Sequence, residues 1–184
     1  MGRAYGLYDR IVTRYAAFLR GVNVGGVNLK MADVAEALEV AGFTDVRTIL
    51  ASGNVLLDSS ADVAAVRRRA EKALRDRFGY DAWVLAYDLD TVRAISDAYP
   101  FEREVEGHHS YVTFVTDPQV LDELARLADD AGDLERIQRG DGVIYWQVAR
   151  TATVGSVMGK TMSKKRYKSS TTTRNLRTVE KVLR

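Results

Sequence analysis

The segment VRTILASGNVLLD, residues 46–58, is the most informative stretch for the fold, because its pattern predicts a β-hairpin. Residues 46–51 are rich in β-branched side chains, and residues 55–58 continue as a second strand. Ser52-Gly53-Asn54, which lies between them, is a tight-turn signal. The elements on either side of this hairpin then determine which fold it belongs to.

A helix is predicted on each side of the hairpin, and a strand lies beyond each helix. Apolar residues recur at helical spacing before the hairpin at Met31, Val34, Leu38 and Ala41, and after it at Val63, Val66, Ala70, Leu74 and Phe78. Gly42 and Gly79 are natural C-terminal stops for the two helices. Strand candidates at residues 15–22 and 81–87 complete the order β-α-β-β-α-β, which is the split unit of a ferredoxin-like fold.

The second half of the chain repeats this order imperfectly. Its predicted elements are a strand at 110–116, a helix opened by Asp117-Pro118, a hairpin of strands at 134–139 and 143–149, a helix over 155–165 and a final helix over 173–184. Any fourth strand, around residues 169–172, is expected to be short or lost.

The predicted fold class is therefore α+β, with tandem ferredoxin-like (α/β-plait) subdomains that are built on antiparallel sheets. Its expected parts are a disordered extension at 1–14, a first subdomain at 15–87, a connector with a short helix at 88–108, and a second, degraded subdomain at 109–184 that ends in a basic helix.

Composition excludes several classes of protein. The chain has no cysteine, which excludes disulfides, thiolate metal sites and thiol catalysis. It has no apolar run of about 18 residues, so no membrane partner is expected, and a cytoplasmic location is the default. The two histidines, His108 and His109, would point to opposite sides of a strand, so no metal site is predicted. No cofactor is predicted either, and the sequence does not fix the oligomeric state.

The charge of the chain is distributed unevenly. Residues 160–184 contain nine lysines or arginines and a single acid, Glu180, although the formal net charge of the whole chain is only +2. The remainder of the chain is therefore net acidic. A basic end on an acidic body suggests an anionic partner, or an acidic face of the same protein, and the alternative is an ordinary solvated terminus.

Polar residues that follow the first two strands are predicted to meet at one edge of the first sheet. In a ferredoxin-like sheet these two strands run parallel, so their C-terminal ends lie at the same edge. The glycines of the loop after the first strand allow close approach of the backbone to an anion. The candidate ligand-binding residues at this edge are Arg20, Asn23, Gly25, Gly26, Asn28, Lys30, Ser52 and Asn54.

The predicted last helix supplies a second group of candidates. With Thr172 or Thr173 as its N-cap, helical spacing places Arg174, Arg177, Thr178, Lys181 and Arg184 on one stripe and the apolar side chains opposite. Cations without acids on a stripe, next to a helix N-terminus, favour anion binding. The candidates here are Thr173, Arg174, Asn175, Arg177 and Thr178.

Five separated segments resemble the bacterial family called domain of unknown function 1697. They are FLRGVNVGG at 18–26, Lys30-Met31, Arg47-Thr48, SGNV at 52–55 and TTRNLRTV at 172–179. The resemblance implies two α/β-plait subdomains in tandem and no established activity. One departure is visible, since Leu176 stands where the family often has a tryptophan.

Three functions remain open from the sequence. The first, which is favoured, is a module that binds nucleic acid or a phosphorylated small molecule; aromatic residues on a plait sheet, such as Tyr111, Phe114, Tyr145 and Trp146, would serve base stacking or simply form the core. The second is an enzyme acting on a small anionic substrate, although Ser52 has no evident base and no catalytic residue is assigned. The third is a structural or interaction protein.

Overall fold

The computed structural model describes residues 11–22 and 28–184. The first subdomain consists of strands β1 (Thr13–Arg20), β2 (Thr44–Ile49), β3 (Asn54–Ser59) and β4 (Trp83–Asp88) with helices α1 (Met31–Val40) and α2 (Val63–Phe78). Its strand order is β2-β3-β1-β4, and every neighbouring pair is antiparallel. This is the predicted ferredoxin-like unit.

A single helix, α3 (Leu89–Asp97), leads to the second subdomain. Its elements are β5 (His108–Val115), α4 (Pro118–Ala125), β6 (Glu135–Arg139), β7 (Val143–Ala149), α5 (Val157–Met162) and β8 (Thr171–Asn175), and the last helix is α6 (Leu176–Val182). Short 3-10 helices occur at Arg126–Asp130, Arg150–Ala152 and Lys165–Tyr167. The sheet order, β6-β7-β5-β8, repeats that of the first sheet. The α+β class with two tandem subdomains is thus confirmed.

The fourth strand of the second sheet is present, which corrects the predicted start of the last helix. Residues 171–175 pair with β5, and the hydroxyls of Thr113 and Thr173 lie 2.8 Å apart across that pair. A run of β-branched threonines suits a strand better than a helix, because each loses side-chain freedom in a helix. Asn175, rather than a threonine, caps α6, since its side chain accepts from the Arg177 backbone N–H at 3.0 Å.

The predicted N-terminal extension lies mostly outside the described residues. Ile11 and Val12 are exposed, whereas residues 13 and 14 already belong to β1. Arg14 pairs there with Asp58 of the neighbouring strand at 2.8 Å. The first sheet therefore begins two residues earlier than the sequence indicated.

The two sheets pack face to face. Helices α1 and α2 cover one face of the first sheet with Val34, Leu38, Val66 and Leu74, all of which are fully buried. The other face turns towards the second sheet, where the rings of Phe18 and Phe114 stack with centroids 4.6 Å apart. Helices α3 and α6 join this central layer, and α4 and α5 cover the far face of the second sheet.

This layering decides the role of the aromatic residues on the second sheet. Phe114 and Tyr145 lie in the central layer between the sheets, and Trp146 lies under α4 and α5. All three are at most 3% exposed. The sheet face on which α/β-plait RNA-binding domains stack bases is therefore filled by the other subdomain.

Within residues 11–22 and 28–184, no helix is both long and apolar enough to span a bilayer. The same part of the chain contains no cluster of three or more His, Asp or Glu side chains that could hold a metal ion.

Candidate functional site

A cleft of about 710 Å³ opens where the ends of β1, β4 and β8 come together at the seam between the subdomains. Its walls come from both halves of the chain, and we call it the seam cleft. The first subdomain contributes Arg20, Ser52, Tyr80 and Trp83, and the second contributes Met162, Lys168, Thr172, Thr173 and Arg174.

Strand direction explains why Arg20 and Ser52 share this cleft. Strands β1 and β2 are both antiparallel to β3, so they run parallel to each other and end at the same edge. The Leu19 backbone N–H donates to the Gly53 carbonyl at 2.7 Å, which joins the end of β1 to the hairpin turn. The convergence predicted from the sequence is confirmed for these two segments.

Arg174 crosses the seam from β8 into the first subdomain. Its Nε donates to Asn54 Oδ1 at 2.6 Å, and its Nη2 donates to the carbonyls of Leu19 at 2.6 Å and Gly53 at 3.3 Å. The side chain is 8% exposed and lies over the Phe18 ring at 5.5 Å. One residue of the last strand therefore holds the ends of β1 and β3.

The remaining donors of Arg174 stay within its own strand. Nη1 donates to Thr172 Oγ1 at 2.8 Å and to the Thr173 carbonyl at 3.0 Å. A guanidinium has five N–H donors, so this set of five acceptors uses all of them. The predicted exposed stripe is thus wrong for Arg174, because in a strand its side chain alternates towards the first subdomain instead of pointing to solvent.

Asn54 is equally committed to the seam. It is fully buried, and its Nδ2 donates to the Ile49 carbonyl at 2.8 Å and to Ser52 Oγ at 3.0 Å. Its amide oxygen accepts from Arg174. These contacts place Asn54 behind the wall of the cleft, where it orients Arg174.

The two arginines of the cleft, the buried Arg174 and the partly buried Arg20, have no carboxylate partner among the described residues. All five acceptors of Arg174 are neutral oxygens, and Arg20 donates to the Thr171 carbonyl at 2.9 Å. Burial, and then the charge of Arg20, lower the pKa of Arg174 to about 10. Burial also lowers the pKa of Arg20. The pKa of each arginine is lowered because burial removes water from its positive charge and no carboxylate offsets that loss.

Two more charged residues border the cleft. Lys168 is exposed at its rim and forms no ion pair within the described part of the chain. Among the described residues that line the cleft, Asp81 is the one with a carboxylate, and this group accepts a hydrogen bond from Trp83 Nε1 at 3.2 Å. The balance of charge around the cleft is therefore positive.

The other predicted site residues lie away from the cleft lining or outside the described residues. Arg177 is exposed and pairs with Glu104 at 3.2 Å, in a separate pocket of about 210 Å³ with His108 and His109. Asn28 and Lys30 precede α1 and are exposed. Asn175 caps α6 and Thr178 lies on that helix. Asn23, Gly25 and Gly26 lie outside the described residues.

Three residues of the cleft are not among the site residues predicted from the sequence: Trp83, Tyr80 and Lys168. The signal that points to Trp83 is the strand order of the fold, because the start of β4 lies beside the end of β1, with Trp83 opposite Arg20. Lys168 stood in the basic segment, and its position at the cleft depends on the turn that leads into β8. Tyr80 lies just before β4, so the same strand order also brings it near the end of β1.

The geometry around Ser52 offers no base. His108 and His109 begin β5, whereas the part of β8 that lines the cleft pairs with the far end of β5, at Phe114 opposite Thr172. Ser52 Oγ accepts from Asn54. The described residues therefore provide anchoring groups and no nucleophile–base pair.

Comparison with known proteins gives a family and a fold. A family model described as "Protein of unknown function (DUF1697)" matches residues 12–145. No functionally curated protein matches the chain. Among solved structures, the conserved bacterial protein SP0830 from Streptococcus pneumoniae is similar, with a TM-score of 0.76, 22% identity, and coverage of 94% of this chain and 97% of that one. At this identity the similarity concerns the fold.

Proposed function

The chain belongs to the DUF1697 family of proteins of unknown function, and from that premise we propose that it binds a phosphorylated ligand in the seam cleft. The observation that carries the proposal is the pair of arginines, Arg20 and Arg174, close enough to interact and without a carboxylate among the described residues. Burying a charge is costly unless an opposite charge offsets it. A phosphate in the cleft would supply that opposite charge.

The two arginines have different roles in this proposal. Arg174 has no free donor, so it contributes its charge from behind the wall. Arg20 donates to the Thr171 carbonyl, and within residues 11–22 and 28–184 its other N–H groups have no hydrogen-bond partner, so they are assigned to the ligand. Lys168 at the rim adds three ammonium donors. Direct contacts are therefore assigned to Arg20 and Lys168, with Ser52 as a neutral donor.

The size of the cleft supports a small ligand. A volume of about 710 Å³ falls within the roughly 300–1,000 Å³ of small-molecule sites. Such a ligand would contact both subdomains at once. Binding is favoured over catalysis because the described residues pair no nucleophile with a base.

A single-stranded nucleic acid is the second candidate. Lys164 and Lys165 are exposed and lie between Met162 and Lys168, which both line the cleft. Neither lysine forms an ion pair within the described part of the chain. A longer polyanion that occupied the cleft would therefore have further phosphate contacts beside it.

Isothermal titration with pyrophosphate at low salt tests the proposal. Charge reversal in K168E should weaken binding about tenfold, since it removes a contact and introduces repulsion. K181E is the matched control, because Lys181 is an exposed lysine on α6, away from the cleft lining, and its reversal changes the net charge equally. No binding by the wild type, or equal losses in both variants, would refute a site at the seam.

A further inference from the structure

Trp83 gives the seam cleft a second recognition element, and we propose that its ligand is a nucleotide unit whose base stacks on Trp83 while its phosphate contacts Arg20 and Lys168. This inference rests on the proposed function and narrows it to one class of phosphorylated ligand. The nucleotide is either free or part of a single strand, since both present the same base and phosphate.

Trp83 and Arg20 share one wall of the cleft. They are direct partners in the β1–β4 register, so their side chains leave the same face of the sheet. On that face Leu85, two residues along β4, is fully buried against the second subdomain. Trp83 comes one step before that contact and remains half-buried at the opening. The Trp83 ring thus lies beside the Arg20 side chain, because the two residues are opposite each other on neighbouring strands.

The Trp83 ring is held in place and is free to stack. Its Nε1–H donates to Asp81 at 3.2 Å, which restrains the ring. Among the described residues, no aromatic ring pairs with it and no arginine lies over it, in contrast to Phe18, Tyr99 and Trp146. A fixed indole face without a stacking partner is the platform that single-stranded nucleic-acid sites use for bases.

Tyr80 lines the same cleft and also packs against the core of the first subdomain. Its hydroxyl is buried and has no hydrogen-bond partner among the described residues. Burial raises its pKa to about 12, so the hydroxyl keeps its proton at neutral pH and can both donate and accept. An orphaned buried hydroxyl calls for a polar group. Because this hydroxyl has almost no exposed surface, the Tyr80 side chain has to turn towards the cleft before a base edge or a ribose hydroxyl can reach it.

The chain contains two tryptophans, which makes the inference measurable. In W146F, Trp83 is the only tryptophan, and its fluorescence reports the cleft. The W146F protein should fold, because phenylalanine keeps a ring against Tyr111 and removes an Nε1–H that is buried without a partner among the described residues, which offsets part of the cost of the smaller side chain. The ligands compared are AMP, UMP, ribose 5-phosphate, pyrophosphate and a six-nucleotide oligo(U).

We expect AMP and UMP to quench Trp83 and to bind at least about tenfold more tightly than ribose 5-phosphate, the scale of one stacked base. Calorimetry on the wild-type background should show W83A binding AMP no better than ribose 5-phosphate, while W83F keeps most of the difference. If oligo(U) binds more tightly than UMP by more than its added phosphates explain, the natural ligand is a nucleic acid. If oligo(U) and UMP bind with equal affinity, the natural ligand is a free nucleotide.

The outcomes separate this inference from the proposed function. Equal affinity for AMP and ribose 5-phosphate, or an AMP preference that survives in W83A, overturns the nucleotide assignment and leaves phosphate binding standing. Absence of binding by every phosphorylated compound, pyrophosphate included, overturns both.

Discussion

The Nε of Arg174 lies 2.6 Å from Oδ1 of Asn54, a residue 120 positions earlier in the chain and in the other subdomain. The contact couples the last strand to the hairpin turn that defines the first sheet. It also places an uncompensated positive charge behind the seam cleft. The same side chain thus supports both the assembly of the two subdomains and the electrostatics of the candidate site.

Replacing Arg174 is expected to destabilise the fold. In R174A, the carbonyls of Leu19 and Gly53 lose a charged donor in a buried place, which should lower the free energy of unfolding by about 3 kcal/mol or more. R174K should recover only part of the loss, because an ammonium cannot reach acceptors on three strands. Urea unfolding measures both effects.

The control for this prediction is R177A. Arg177 is exposed and pairs with the exposed Glu104, so its loss should change the free energy of unfolding by at most about 0.5 kcal/mol. If R174A were as stable as R177A, the role of Arg174 in joining the subdomains would be wrong.

A side chain at Gly53 is expected to destabilise the fold. Its φ is +77°, and a Cβ would lie 3.0 Å from Leu19 Cβ. Gly79 has a similar φ of +66° but open space around it. G79A should therefore cost only the left-handed backbone term, about 1 kcal/mol. G53A should cost clearly more by thermal unfolding, and equal losses would mean that the turn can move away from β1.

The packing of the two sheets predicts that the first subdomain does not fold well alone. A fragment that ends after β4 would expose Phe18, Leu56 and Leu85, which the second subdomain covers in the full chain. We expect the fragment to bind the dye ANS or to aggregate, because an exposed apolar patch of this kind is an association surface. A monomeric, cooperatively melting fragment that does not bind ANS would contradict this.

Much of the fold could be predicted from local pattern. The hairpin around Gly53 and the helices that end at Gly42 and Gly79 follow from turn chemistry and helical spacing. The segment 171–175 could not be placed in this way, since its threonines favour a strand but threonine is also a common N-cap of a helix. Pairing with β5, which is a long-range contact, decided between them.

The candidate site, too, could be predicted only in part from the sequence. The meeting of Arg20 with the Ser52 turn follows from strand direction alone. The burial of Arg174 required knowledge of the seam, because only the second sheet's position turns an apparent surface cation into a cross-subdomain contact. The position of Trp83 could have been predicted from the strand order of the fold, because that order places β4 beside β1.

Tyr87 is expected to limit stability at alkaline pH. Burial raises its pKa to about 12, against an ordinary value of 10.0, while the charge of Arg67 opposes the shift. The unfolded chain therefore ionises Tyr87 first, so its contribution is fully present below pH 10 and is lost as the pH rises from 10 to about 12. In Y87F the free energy of unfolding, measured in urea at several pH values, should fall less steeply across this range.

The Tyr87 hydroxyl has no hydrogen-bond partner among the described residues, so Y87F should be as stable as the wild type, or slightly more stable, at pH 8. Y145F is the matched control, because the Tyr145 hydroxyl donates to the Ile95 carbonyl at 2.8 Å. Its loss leaves that carbonyl unsatisfied and should cost about 1–2 kcal/mol already at pH 8. If Y87F were destabilised at pH 8 as much as Y145F, the hydroxyl of Tyr87 would have a partner in solution, and an unchanged alkaline slope in Y87F would mean that other groups cause the loss of stability above pH 10.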